Sequence, residues 1–492
     1  MKKFLVCILS LFLIFGCTGC GENKTDLSTI CENLTTYTLD IDLNVENKTA
    51  QVNQNINYVN NTDSILKTLK FHLYPNFFKE GATECVISST KLNQAYPNGI
   101  SFSEFDIERI KVENKDITPT YEGDYNNILC VTLLDSLLPE KNVDIQIDFK
   151  FSLPNCNHRF GYGEIAINLA NFYPIACVYE NNEFSTNPYN ANGDPFYSNV
   201  ANYKVNLTTD KNYISATSGE KLNETINGDK KTTNYSAIVV RDFAIVVSNK
   251  FQVISTTHNN TTIEYYYFND SNAELSLKAG SDSIKTFSKL FGEFPYKNFS
   301  IVKTDFIYGG MEYPNLVMIS ADIENVDDYL NVIVHETAHQ WWYAMVGNDQ
   351  YTLPWLDEAI TEFSTILFYD NNEGYALNHK QMVETCHENY STFITVYNDV
   401  LGSIDTSMRA VNKYNTEPEY TYCTYVKGVL MYDSLYSLIG EKCFIKSLKI
   451  YFENNKFTNA TKLDLISAFE KASEQNLSNF FDSWLNGKVV IR

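Results

Sequence analysis

The chain has 492 residues, 44% of them hydrophobic and 20% charged. These proportions exclude a disordered or collagen-like polymer, and the length predicts two to four domains at roughly 100 to 200 residues each. Against 60 Asp and Glu there are only 38 Lys and Arg, a net charge of −22, and a surface so acidic repels phosphate backbones, which excludes nucleic acid as a partner.

The N-terminus reads as an export signal. Lys2 and Lys3 precede an apolar run at residues 4–15, too short to cross a hydrocarbon core of ~30 Å as a helix but suited to the basic and apolar regions of a secretory signal. Gly16-Cys17 and Gly19-Cys20 each set a small residue before a cysteine, as in a bacterial lipobox. Cleavage before Cys17 or Cys20 would free a thiol for diacylglycerol, so the expected location is extracytoplasmic, lipid-anchored in the cell membrane. Residues 1–20 are read as the signal with its lipobox and 21–31 as a polar tether. The other eight cysteines, Cys31, Cys85, Cys130, Cys156, Cys177, Cys386, Cys423 and Cys443, are scattered. They form no short-spaced pair for a zinc ribbon and are read as buried free thiols.

Residues 32–250 alternate apolar and polar residues with the period of half-buried strands. Leu39, Ile41, Leu43 and Val45 share one face, and Val143, Ile145, Ile147, Phe149 and Phe151 repeat the pattern, as do Tyr203, Val205 and Leu207. Asn and Gly clusters separate these runs, which predicts an antiparallel β domain. From about residue 275 the period lengthens. Helical spacing covers stretches such as 279–291, 328–345, 356–369, 422–439 and 463–472, with a little β at 262–268 and 299–319, so residues 251–492 are read as a second, mainly α domain.

One segment of that second domain carries chemistry. His335-Glu336-Thr337-Ala338-His339 is HExxH within a predicted helix; residues four apart share a helix face, so both imidazoles can address one metal while Glu336 lies beside its water. Catalytic zinc takes three protein ligands and keeps one position open. Gly347-Asn348-Asp349 can end the helix and Pro354 can open a returning one, in which Glu358 is placed to be the third ligand. A chance HExxH with a glutamate at that position is expected in about one chain in a few thousand of this composition.

HExxH followed after eighteen residues by Glu, within His335-Glu336-Thr337-Ala338-His339-Gln340-Trp341-Trp342 and Trp355-Leu356-Asp357-Glu358-Ala359, resembles the gluzincins of the aminopeptidase N family, peptidase family M1. Gly309-Gly310-Met311-Glu312-Tyr313 resembles that family's GAMEN exopeptidase motif, and Tyr425-Val426-Lys427-Gly428 the segment with its catalytic tyrosine. Weaker likenesses, such as Gly193-Asp194-Pro195-Phe196-Tyr197 and Arg241-Asp242-Phe243-Ala244, extend the coverage to about residues 37–487. Tyr313 stands where GAMEN has Asn, and Asp357 and Ala359 flank Glu358 where the family has Asn and Gly. The larger members' further domains have no counterpart here, which resembles the short bacterial, lipoprotein-type branch.

The resemblance implies an α+β protein of two domains, an antiparallel saddle-like β domain followed by a thermolysin-like, mainly α catalytic domain. It implies one Zn2+ per chain on His335, His339 and Glu358, with Glu336 as general base and Tyr425 as donor to the oxyanion. It further implies that Glu312 binds the free α-amine of a peptide substrate beside Gly309, Gly310 and Met311, with Glu164 lining the amine pocket from the β domain. The expected activity is release of N-terminal residues from extracellular peptides. The alternatives are a zinc endopeptidase or other hydrolase on the same scaffold, or a non-catalytic surface-binding lipoprotein. Nothing in the sequence reads on oligomeric state.

Overall fold

The computed structural model describes residues 25–82, 85–400, 402 and 405–489; the signal segment, with Cys17 and Cys20, lies outside the described residues. Of the expected tether, Asp26 accepts the N–H of Ser28 and opens a short helix, Leu27–Ile30, in which Leu27 is buried.

The first half is built on an eight-stranded sheet. Thr36–Asn44, Thr49–Val59 and Asn142–Ser152 run antiparallel at its centre. Their alternation resolves as the sequence predicts, with Leu39, Ile41, Leu43, Ile145, Ile147 and Phe149 on the buried face, each contributing about 1.5–3 kcal/mol. One pairing departs from the antiparallel expectation: Thr36–Asn44 also pairs in parallel with Ala201–Asp210. Register is set by the apolar face, not by strand direction, so the alternation could not reveal this. Two four-stranded sheets, one containing Leu66–His72 and Ile128–Leu137, the other Ile167–Leu169 and Ile245–Ser248, and a two-stranded hairpin of Tyr179–Glu180 with Glu183–Phe184 complete the half.

The second half opens on a five-stranded mixed sheet in the order Gln252–His258, Thr261–Tyr267, Asn298–Thr304, Leu316–Ser320, Gly310–Met311. The short strand Gly310–Met311 is its edge, pairing antiparallel with Leu316–Ser320. Against this sheet pack the helices Ala273–Leu290 and Val326–Ala338. The returning helix Trp355–Asn371 lies beside them, and Lys427–Ile439 packs on it after a π-helical turn, Tyr422–Val426. Helices His379–Val400 and Glu441–Asn455 also belong to this half. One hydrophobic core runs through both halves, and no helix among the described residues is long and apolar enough to cross a membrane.

The predicted helix over 328–345 is shorter than expected and ends at Ala338, with His339 as its C-cap. Beyond it the chain winds through wide turns in which the N–H groups of Ala344, Met345 and Val346 reach back five residues to the carbonyls of His339, Gln340 and Trp341. A side chain from the other half holds these turns: buried Arg241 donates to the Tyr343 carbonyl at 2.7 Å and to the Met345 carbonyl at 3.4 Å, and it also donates to the Thr458 carbonyl. None of the eight described cysteines forms a disulfide; Cys130, Cys156, Cys177 and Cys423 are buried, whereas Cys31, Cys85, Cys386 and Cys443 are partly exposed.

Candidate metal centre and its cleft

Two helices bring the donors together. Asn325 caps the first by accepting the N–H of Asp328, and Pro354 precedes the second, leaving Asp357 and Glu358 in its first turn. His339 Nε2 lies 3.1 Å from His335 Nε2 and 3.2 Å from Glu358 Oε2, and His335 Nε2 lies 3.6 Å from the same oxygen. Donors about 2.0–2.2 Å from a tetrahedral ion stand about 3.3–3.6 Å apart, so this triangle fits zinc. The outer nitrogens agree with that fit. His339 Nδ1–H donates to the Trp342 carbonyl at 3.0 Å, and His335 Nδ1 lies 3.5 Å from Glu362 Oε1, which turns both Nε2 lone pairs toward the third donor.

The electrostatics call for a cation at the same point. Burial disfavours charge on His335 and His339, yet the facing carboxylates, Glu362 for His335 and Glu358 for His339, outweigh it and raise both. Burial acts to raise Glu358 as well, but His339 and His335 hold it well below the usual carboxylate range. Glu336 is pushed up to about 8 by burial, and its Oε2 is buried with no hydrogen-bond partner.

The donors line a cleft of about 260 Å³. On the edge strand the two-residue period sorts the GAMEN-like residues: Gly310 and Glu312 face the cleft, while Met311 is buried opposite Met318. Met311 therefore belongs to the core and not to the expected substrate-binding surface. A Cβ at Gly310 would stand 2.4–2.6 Å from Oε1, Cγ and Cδ of Glu336, so any larger residue there would have to displace that side chain. Glu312 is buried, accepts from Gln350 Nε2 at 2.8 Å and is pushed up to about 7 by burial. Its carboxylate, that of Glu336 and a ring nitrogen of His339 lie within 4.8 Å of one another. Tyr425, in the π-helical turn, lines the cleft and donates to Glu358 Oε1 at 2.6 Å.

Glu164 does not join them. Its side chain is 91% exposed and faces Lys250 at 3.7 Å, because Asp305 Oδ2 holds the following turn by accepting the N–H groups of Ile165 and Ala166 at 2.7 and 2.9 Å. The acid that the β domain does contribute is Asp194, paired with buried Arg159, whose guanidinium lies 5.0 Å from the centre of the Phe196 ring. Asp194 falls within the Gly193-Asp194-Pro195-Phe196-Tyr197 segment, but its spacing to the zinc motif carries no signal. Gln350, Glu362 and Tyr420 also belong to the site without any motif that would mark them. Tyr313, in place of the GAMEN asparagine, is buried and donates to Asn171 Oδ1 at 2.7 Å; Asn171 in turn donates to Asp242. It fastens the edge strand to the β domain.

Comparison with known proteins places this geometry. Residues 275–484 match the peptidase family M1 domain. The chain is 23% identical to Aminopeptidase 2 of Candida albicans over 308 residues, 57% of this chain and 32% of that protein. It is 25% identical to Aminopeptidase N of Lactococcus lactis over 203 residues, 38% of this chain and 23% of that protein. With Aminopeptidase B of Mus musculus the identity is 28% over 226 residues, 41% of this chain and 33% of that protein. The chain spans about a third or less of the length of these curated relatives. Its fold matches the crystal structure of an M1 zinc metallopeptidase from Deinococcus radiodurans with a TM-score of 0.65 at 13% identity, covering 93% of this chain and 94% of that one. The matched segment 275–484 carries all three candidate metal donors together with Glu312, Glu336 and Tyr425, and through this segment the chain is similar to peptidase family M1.

Proposed function

We propose that the protein is a zinc-dependent aminopeptidase that removes N-terminal residues from extracellular peptides. The observation that carries this reading is Glu312, a buried carboxylate within 4.8 Å of both Glu336 and His339, where it can pair with a protonated α-amine and set the first peptide bond at the metal donors. The relatives' names as aminopeptidases support it, as does a Deinococcus radiodurans neighbour solved bound to a Tyr-Ser-Ala substrate.

One zinc per chain would be held by His335, His339 and Glu358, and when bound it supplies polarisation of the scissile carbonyl and acidification of water. Glu336 Oε2, with no partner of its own, is free to accept the proton of the attacking water. The same oxygen then delivers that proton to the leaving nitrogen. Gly309 and Gly310 let the substrate backbone approach closely. The Tyr425 hydroxyl, at the cleft wall, is the donor for the developing oxyanion.

Digestion of one peptide with a free and with an acetylated N-terminus tests the reading. The free form is expected to lose residues one at a time, with the reaction stopped by a chelator, and the acetylated form to be nearly inert. Internal cleavage of the acetylated peptide at a comparable rate would instead make the protein an endopeptidase. We also infer a lipid anchor at Cys17 or Cys20, from the residues before them alone. A clickable fatty acid is expected to label the protein in cells, and labelling unchanged by the double Cys17→Ala, Cys20→Ala substitution would remove the anchor.

A further inference from the structure

Glu312 is 3% exposed, and a carboxylate so buried keeps one orientation only if a fixed partner holds it. Gln350 Nε2 donates to Glu312 Oε1 at 2.8 Å. The same nitrogen donates to Asp357 Oδ2 at 2.8 Å, and Asp357 Oδ1 accepts from Asn348 Nδ2 at 3.0 Å. A carboxamide has two N–H groups, so Gln350 gives one to each acid. The reverse orientation would set its oxygen against two carboxylates; as observed, Oε1 is buried with no partner, leaving the amide's own oxygen unsatisfied so that both acids are bonded. Gln350 lies in the loop between the two site helices and Asp357 directly precedes the donor Glu358, which ties Glu312 to the element that presents Glu358.

We propose that Gln350 is a positioning residue for amine recognition: it holds Glu312 by one oxygen and leaves the other for the substrate's α-ammonium, with Asp357 and Asn348 fixing the amide from behind. This rests on the reading of Glu312 as the amine carboxylate. It also gives a reason for the acid at position 357, since an aspartate accepts from two amide donors where an asparagine would accept on one atom only.

The test is a double-mutant cycle on the zinc-loaded protein. Its readout is the ratio of kcat/KM for alanine p-nitroanilide to that for propionyl p-nitroanilide, the same substrate without its amine. Glu312→Ala is expected to lower the ratio at least a hundredfold. Gln350→Leu should lower it about tenfold through a raised KM for the amine substrate, since a misplaced group of this kind costs about one to two orders of magnitude. In the Glu312→Ala background, Gln350→Leu should lower the ratio no further. A merely structural role would slow both substrates equally and leave the ratio unchanged, overturning the positioning role while the amine reading stands. An unchanged ratio in Glu312→Ala would overturn both. Should Gln350→Leu not fold, Gln350→Asn, shorter by one methylene, takes its place in the cycle with the same expected direction.

Discussion

The role of each carboxylate in this cleft follows from which of its oxygens is already engaged. Glu358 uses Oε2 toward the two histidines and Oε1 toward Tyr425, so both atoms are committed to the metal site; Glu336 keeps Oε2 free. Glu358→Ala is therefore expected to lose zinc by elemental analysis, because a three-donor site cannot spare one. Glu336→Gln should retain zinc and lose about 10²- to 10⁴-fold in kcat, the usual share of a general base. Tyr425→Phe separates two roles for one hydroxyl. As an oxyanion donor it is expected to cost about 10²- to 10³-fold in kcat with zinc retained; a loss of zinc with kcat preserved in excess metal would show that holding Glu358 is its function.

At the scale of elements, the site depends on segments fixed from outside their own helices. Arg241 holds the turns after His339 through the carbonyls of Tyr343 and Met345 and joins them to the carbonyls of Thr458 and Ser198, with no carboxylate among these partners, and burial pulls it down to about 10. Arg241→Met would leave those carbonyls unpaired and is expected to cost roughly 3–5 kcal/mol in chemical denaturation. Zinc affinity should weaken with it, since the Trp342 carbonyl that orients His339 lies in the same turns. His379 ties other helices together, its Nδ1 2.7 Å from Asp370 and its Nε2 2.9 Å from Asp433. Hydrogen bonds to Asp370 and then Asp433 raise it to about 9. Because the folded value lies above the unfolded one, its contribution is complete below about pH 6.5 and fades as pH rises through 9. With part of the ring in water this amounts to about 1 kcal/mol, so the stability gap between the protein and His379→Asn should close between pH 6.5 and 9.5. Those tertiary ties were not legible in the sequence. Period and spacing expose strands, helices and the HExxH-to-Glu metal set, all of which are local patterns. The hold of Arg241 on the turns after His339, the parallel pairing of Thr36–Asn44, and the replacement of Glu164 by Asp194 depend on residues about a hundred or more positions apart in the chain, and no periodicity carries that information.

For the whole molecule, the question is whether the halves unfold together. The cleft draws Arg159, Asn190, Gly193 and Asp194 from the first half and the metal donors from the second. Tyr313 reaches Asn171, Arg241 reaches Tyr343, and the apolar core is continuous. Buried donors and acceptors shared in this way would be left unpaired if either half opened alone, at about 1–3 kcal/mol for each group. The four tryptophans, Trp341, Trp342, Trp355 and Trp484, all lie in the second half, so their fluorescence reports on the helices, while far-UV circular dichroism also senses the large sheet of the first half. In urea the two signals are expected to change at the same midpoint, as one cooperative transition. A tryptophan transition well below the loss of β signal would mean that the metal-binding half opens by itself. In that case residues 251–492 expressed without the β domain should bind zinc, whereas coincident transitions predict that this fragment neither folds nor holds the metal.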